Sequence, residues 1–194
     1  NGTGINALAL TISTATGGAT DNQGLLNITT NEATGSAYLT TGAALRAGTL
    51  NTKDASSQTV DLTVTGGNTL TVASTSNLDI DALTLTADRM AVSAGVTAAT
   101  AVLQPNSAAR AIDLGSATDV AAALELSSAE LANFTVTTLT VGRSNAGALT
   151  VSTDVTPSNV TNLHLITGST VTGTAGGIAG DKNLPRAIIK TDTP

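Results

Sequence analysis

Cysteine is missing from this chain of 194 residues, which rules out a disulfide scaffold and a thiolate metal site. Tryptophan is missing as well, and Tyr38 and Phe134 are the only aromatic side chains. Charge is scarce: 11% of residues are Asp, Glu, Lys or Arg, against about 25% in an ordinary domain. What charge there is leans acidic, 8 basic residues against 14 acidic ones, for a net charge of −6. Nucleic acids are held by basic grooves and stacking rings, so this composition argues against them as partners. No apolar run approaches the roughly 18 residues of a membrane span. Hydrophobic residues still make up 41%, too many for a disordered chain of such low charge. The length suits a single domain over residues 1–194.

What remains is mostly threonine, alanine, glycine, leucine and valine. The chain opens at Asn1-Gly2 rather than at Met, and no signal peptide is visible. We therefore expect a processed form or a segment of something larger. A secreted chain without cysteine cannot mispair in an oxidising space, so the composition suits a bacterial extracellular protein.

The abundant residues are arranged as short alternations: Leu8-Ala-Leu-Thr-Ile12, Leu62-Thr-Val64, Leu70-Thr-Val72, Leu83-Thr-Leu85, Ile112-Asp-Leu114, Leu124-Glu-Leu126, Leu139-Thr-Val141, Leu149-Thr-Val151 and Leu163-His-Leu165. Each has the period of a half-buried strand, apolar inward and polar outward. Gly-Gly, Gly-Asn, Ser-Asn and Ala-Gly pairs separate them, as turns require. A sandwich or barrel with as many strands usually fills its core with bulky rings. Here the inward residues are aliphatic, which suits a narrow interior that repeats coil by coil. The expected fold is therefore all-β, a right-handed parallel β-helix (β-solenoid), its hand taken from the usual crossover rule. At about 20 residues per coil there would be roughly nine coils, and at about 4.8 Å per strand a rod on the order of 45 Å. Thr63, Thr65, Thr69 and Thr71 should face solvent, with Leu62, Val64, Leu70 and Val72 inside. Residues 175–194 read as an irregular terminal segment.

One or two short helical turns at most are expected. Ser127 followed three residues later by Glu130 spells a capping box, and Ala129, Leu131 and Ala132 tolerate a helix. Leu131 and Phe134 should fold onto the core there, Phe134 filling a corner widened by the turn over 127–133. Residues 119–123 form a second candidate.

The second half resembles a known family. The stretches Arg110-Ala-Ile-Asp-Leu-Gly115, Leu126-Ser-Ser-Ala-Glu-Leu131, Thr138-Leu-Thr-Val-Gly142, Ala146-Gly-Ala-Leu-Thr-Val151 and Leu163-His-Leu-Ile-Thr-Gly168 look like repeat units of filamentous-haemagglutinin-type bacterial exoproteins. The resemblance covers roughly residues 96–173; the first half shares only composition and rhythm. It implies a β-helical shaft at the bacterial cell surface doing adhesive or structural work, with no catalytic residues. The Asn-Pro-Asn motif of that family's secretion domain is not present.

Residues that could carry chemistry are few. His164, the single histidine, would be needed for a triad, but its place between Leu163 and Leu165 reads as an outward strand position. Asp79 and Asp81 flank Ile80, with Asp61 and Asp88 nearby in sequence. They are the weak calcium candidates, or the acid and base of a polysaccharide-cleaving site; the plainer reading is a solvated face. Asn-x-Ser/Thr sequons begin at Asn1, Asn27, Asn133 and Asn159, a number near chance in so Thr-rich a chain. Repeated Thr-x-Thr pieces invite a water-ordering reading, but their spacing is irregular. Lys182, Arg186 and Lys190 gather basic charge near the carboxyl end.

The expectation is a non-catalytic extracellular rod that needs no cofactor. Its partners would be receptors or glycans on host or neighbouring cells. The alternative is a subunit of a self-assembling filament stacked head to tail, because Ile5, Leu8, Leu10 and Ile12 at one end and Ala187-Ile-Ile189 at the other offer no recognisable cap. A polysaccharide-acting β-helix enzyme stands third.

Overall fold

A computed structural model describes residues 8–12, 25–30, 36–52, 58–73, 79–118, 122–173, 177 and 188–191. In chain order these form β1 (Leu8–Ile12), β2 (Leu25–Thr30), β3 (Ala37–Thr41), β4 (Leu45–Thr52), β5 (Thr59–Val64) and β6 (Thr69–Val72). Then come β7 (Asp79–Thr86), β8 (Arg89–Val92), β9 (Val96–Gln104), β10 (Ala111–Leu114), β11 (Ala123–Leu126) and the short helix α1 (Ser128–Ala132). The remaining strands are β12 (Phe134–Gly142), β13 (Leu149–Val151), β14 (Val160–Thr167), β15 (Val171–Gly173) and β16 (Ile188–Thr191). The protein is mostly β, as the alternations predict.

The longer strands make one seven-stranded sheet in the order β3, β5, β7, β9, β12, β14, β16, every pair parallel. The remaining strands make two further sheets. One runs β1, β2, β4, β6, β8 and the other β11, β10, β13, β15. Parallel neighbours cannot be joined by a tight hairpin, so from β2 to β10 and again from β12 to β16 the chain alternates between the seven-stranded sheet and the others; β1–β2 and β10–β11 are consecutive strands within one sheet.

Register turns the aliphatic bias into ladders. Leu39, Leu62, Leu85, Leu103, Val141, Leu165 and Ile189 occupy one row of the seven-stranded sheet. Ala37, Val60, Leu83, Ala101, Leu139 and Leu163 occupy the next. From Leu62 to Leu165 the first row is fully buried, and each such leucine contributes about 1.5–3 kcal/mol of apolar burial. Leu70, Val72, Met90, Val92, Ile112, Leu114, Leu124, Leu126, Leu149 and Val151 face the same single core from the other sheets. Leu62, Val64, Leu70 and Val72 are inside as predicted, whereas Thr63, Thr65, Thr69 and Thr71 are half-buried rather than open to solvent. In a stacked sheet a central threonine is flanked by the side chains of the strands above and below it.

The alternation breaks at a recurring place. Asp81-Ala82, Ala99-Thr100, Thr137-Thr138 and Thr161-Asn162 are consecutive pairs lying outside the core between buried residues. The ladders skip the first member of each pair: Ile80 pairs Ala98 and Ala82 pairs Thr100, but Asp81 pairs nothing in the ladder. The same omission falls on Ala99, Thr137 and Thr161. Two successive outward residues mean that the strand turns there, a bend repeated in the four adjacent strands β7, β9, β12 and β14. Carbonyls released by the bend are recaptured by the neighbouring strand: Thr100 Oγ1 donates to Asp81 O (3.4 Å) and Asn162 Nδ2 to Thr137 O (3.1 Å).

Three expectations need correction. First, β1 runs antiparallel to β2, where only parallel neighbours were expected. The alternation Leu8, Leu10, Ile12 serves either direction, so periodicity could not distinguish them. Second, β11 steps out of sequence order. It pairs with β10, lies alongside β8, and sits away from β13. Third, the second helix candidate fails in part: Ala123 opens strand β11, because Leu124 and Leu126 gain more from burial in the ladder than a short helix could offer. Residues 119–121 of that candidate lie outside the described residues.

Candidate functional site

Several side-chain hydrogen bonds gather around β11 and α1. Ser127 is extended (φ −68°, ψ 160°) and its side chain caps the first turn of α1, accepting from the Glu130 backbone N–H. Glu130 answers through Oε2, which accepts from Ser127 N and Ser127 Oγ, both at 2.8 Å. The capping box read from the sequence is therefore formed. Glu130 also reaches further: its Oε1 accepts from Val92 N on β8 (3.0 Å). Asn133, which ends the helix, donates through Nδ2 to Val92 O (2.8 Å). Leu131 and Phe134 are both fully buried, with Phe134 opening β12 in register with Val96.

At the opposite end of β8 a second polar group forms. Asp88 is buried and accepts from Ser107 N (2.7 Å) and Ser107 Oγ (2.5 Å). Arg110 Nη2 donates to Asp88 O and to Ala123 O, both at 2.8 Å. Arg143 Nη2 donates to Asn106 O (2.5 Å). Arg110 thereby bridges two carbonyls distant in sequence, and Arg143 ties the end of β12 to the turn after β9.

The third group is one that sequence reasoning missed. Glu125, expected on an outward position, is buried. Its Oε1 accepts from Ser116 Oγ (2.6 Å) and Thr118 Oγ1 (3.2 Å). It stands in register with Asp113 of β10, which in turn faces Thr150 of β13. Asp113 Oδ1 is buried without a hydrogen bond. No spacing rule brings Asp113 and Glu125 together; only the backward step of β11 does. Asp88 had a faint signal, the turn-forming run Gln104-Pro-Asn-Ser107, whose serine it binds.

Of the two calcium candidates, Asp79 and Asp81, only Asp81 has a described side chain. Asp81 occupies a bend position and its Oδ2 accepts from Gln58 N (3.1 Å), a contact that ties β7 to the residue before β5. Asp79 stands in register with Thr97; its side chain lies outside the described residues. Asp61 receives the Thr63 hydroxyl (3.4 Å). Among the described residues no three His, Cys, Asp or Glu side chains are close enough to hold a metal ion. His164 is half-buried, in register between Thr140 and Ile188, with leucines rather than acids beside it in sequence.

Of the four sequons, Asn133 is committed to Val92, while Asn159 sits in an exposed turn. Asn27 lies on β2, and the side chains of Asn1 and Asn27 are outside the described residues. Lys182 and Arg186 are outside them too; Lys190 pairs with Ile166 in register. What the arrangement presents outward is a low-charge sheet face. One row carries Thr59, Ala82, Thr100, Thr138 and Asn162, and the next Asp61, Thr84, Val102, Thr140 and His164. Such a face can hydrogen-bond and make contact across several strands, and within it Thr140 stands in register with His164 and Thr84 with Asp61. No helix among the described residues is long and apolar enough to cross a membrane.

Comparison of the chain with protein-family models, curated proteins and solved structures found no match.

Proposed function

We propose that the chain is a stretch of right-handed parallel β-helix that serves as a non-catalytic, extracellular structural or adhesive rod of a bacterial surface exoprotein. The observation that carries this reading is the continuous aliphatic ladder from Leu39 to Ile189, parallel and in register throughout. A stack of this kind buries most of its backbone pairing and its apolar faces, which favours stiffness and resistance to proteolysis. Its polar side chains are spent on joining coils: Asp81 to Gln58, Arg110 to Asp88 and Ala123, Asn162 to Thr137. Adhesion would then come from the Thr-rich outer rows meeting a receptor or glycan over several coils. Electron microscopy of the native material, with a glycan array and turnover assays on the purified chain, tests the reading. Long unbranched rods that bind without turnover are expected. Steady release of reducing sugar, or a globular particle, overturns it.

A second reading, a filament subunit, is favoured by one observation. The outermost strands of the seven-stranded sheet, β3 and β16, both run parallel to the rest, so β16 of one copy has the direction needed to continue into β3 of the next. Light scattering distinguishes the two. Growth with concentration supports the filament, and a monodisperse monomer at high concentration excludes it.

A further inference from the structure

The two sides of the stack do not carry equal numbers of strands. Between β7 and β14 the seven-stranded sheet has four strands, β7, β9, β12 and β14. The corresponding short strands are five, β8, β11, β10, β13 and β15, because β11 has stepped back to lie alongside β8. An additional strand lengthens that side by about 4.8 Å. The excess falls where the ladder is interrupted. β8 ends one sheet and β11 ends the next, so the two lie side by side without the backbone ladder that joins every other neighbouring pair of short strands. On the opposite side β9 and β12 remain paired over seven register positions.

Side chains hold the interruption closed at both ends. At one end the Arg110 guanidinium donates to Asp88 O, next to β8, and to Ala123 O, on β11. At the other, Glu130 and Asn133 take the N–H and C=O of Val92. These are the groups that a regular ladder would have used. A long guanidinium and a helix cap stand where strand pairing would otherwise be.

We propose that the β8–β11 seam is a built-in hinge: the short-strand side opens there while the continuous β9–β12 pairing acts as the spine about which the stack flexes. Sheets with intact ladders open only when a whole cooperative unit unfolds, whereas a seam closed by a few side-chain bonds opens locally and more often. Under load along the stack, extension would be taken up first at this seam.

Site-resolved hydrogen exchange on the full chain tests this. The Val92 amide, held by Glu130 rather than by a strand, should exchange at least tenfold faster than the laddered amides of β9 and β12. Arg110→Ala should raise exchange on β8 and β11 by a further tenfold or more while leaving β5, β9 and β12 unchanged. Arg110→Lys, which keeps one donor, should fall between. If Arg110→Ala does not fold, Glu130→Gln provides the same test from the other end, with faster exchange confined to β8 and α1. Equal protection of Val92 and the β9 and β12 amides overturns the hinge. So does a variant that accelerates exchange evenly along the whole chain, because the latch would then be supporting global stability and not a local opening.

Discussion

Replacing Phe134 by alanine removes the largest side chain among those fully buried, from an interior otherwise built of aliphatics. The ring lies between the end of α1 and the start of β12, beside Val96 across the ladder. Backbone on both sides is fixed, by the Asn133 cap on Val92 and by the β9–β12 pairing, so the surroundings have little freedom to collapse. A phenylalanine truncated under those conditions costs about 3–5 kcal/mol, the transfer of the ring plus the unfilled cavity. For a chain of this length each kcal/mol moves the thermal midpoint by about 2–4 °C, so a drop on the order of 10 °C is expected. Phe134→Leu keeps most of the volume and should cost under about 1.5 kcal/mol. The assay is circular dichroism through thermal and urea unfolding, with the urea slope compared between variants. A Phe134→Ala midpoint within a degree of the parent would refute the argument, because it would put the ring at the surface. A large loss with Phe134→Leu as well would show that shape, not volume, governs this corner.

Gly142 and Gly67 both have positive φ, +96° and +72°, yet they should respond differently to alanine. At Gly142 a Cβ would overlap Ile166 O and approach Ile112 Cδ1 to 2.9 Å, so Gly142→Ala should cost about 3 kcal/mol from strain plus crowding. At Gly67 nothing lies within 4 Å, and Gly67→Ala should cost only about 1 kcal/mol; equal losses in urea unfolding would sink the crowding argument. Glu130→Ala removes three acceptor contacts, two within the capping box and one to Val92, and should cost about 2 kcal/mol. Ser127→Ala leaves the Val92 contact in place and should cost about half as much; the reverse ranking would mean that Glu130 serves the helix alone. Asp113→Asn removes a carboxylate with one unpartnered oxygen that faces Glu125 in register. It should raise stability by about 0.5–1 kcal/mol, read as a higher urea midpoint, and a loss of stability would show that the pair is held by a contact beyond those described.

Much of the candidate polar chemistry was legible where it is local. Ser127 and Glu130 lie within one helical turn, so the spacing alone requires their reciprocal bonds. Phe134 stands immediately after that turn, next to a strand whose inward residues are aliphatic, and could be placed inside without knowing its neighbour. The contacts that were not legible join residues far apart in the chain. Glu130 meeting Val92, Arg110 meeting Ala123 and Asp113 facing Glu125 all depend on where β11 lands, and neighbouring strands with similar patterns make several landings equally acceptable to a local reading.

The alternation of leucine, valine and isoleucine with threonine, by itself, determined that the chain would be strands, that each strand would have one buried face, and that this face would be aliphatic. Those are consequences of a two-residue period and of which side chains occupy it, and they hold whatever the strands pair with. Pairing partners, direction and order came only with the tertiary structure: that β1 runs against β2, that β11 steps back beside β8, and that the strands bend at Asp81, Ala99, Thr137 and Thr161. The physical reason is that backbone hydrogen bonds between strands carry no sequence label. An aliphatic ladder accepts any strand of matching period, and the choice among them is made by the global fit of the coils, which no short stretch of sequence records.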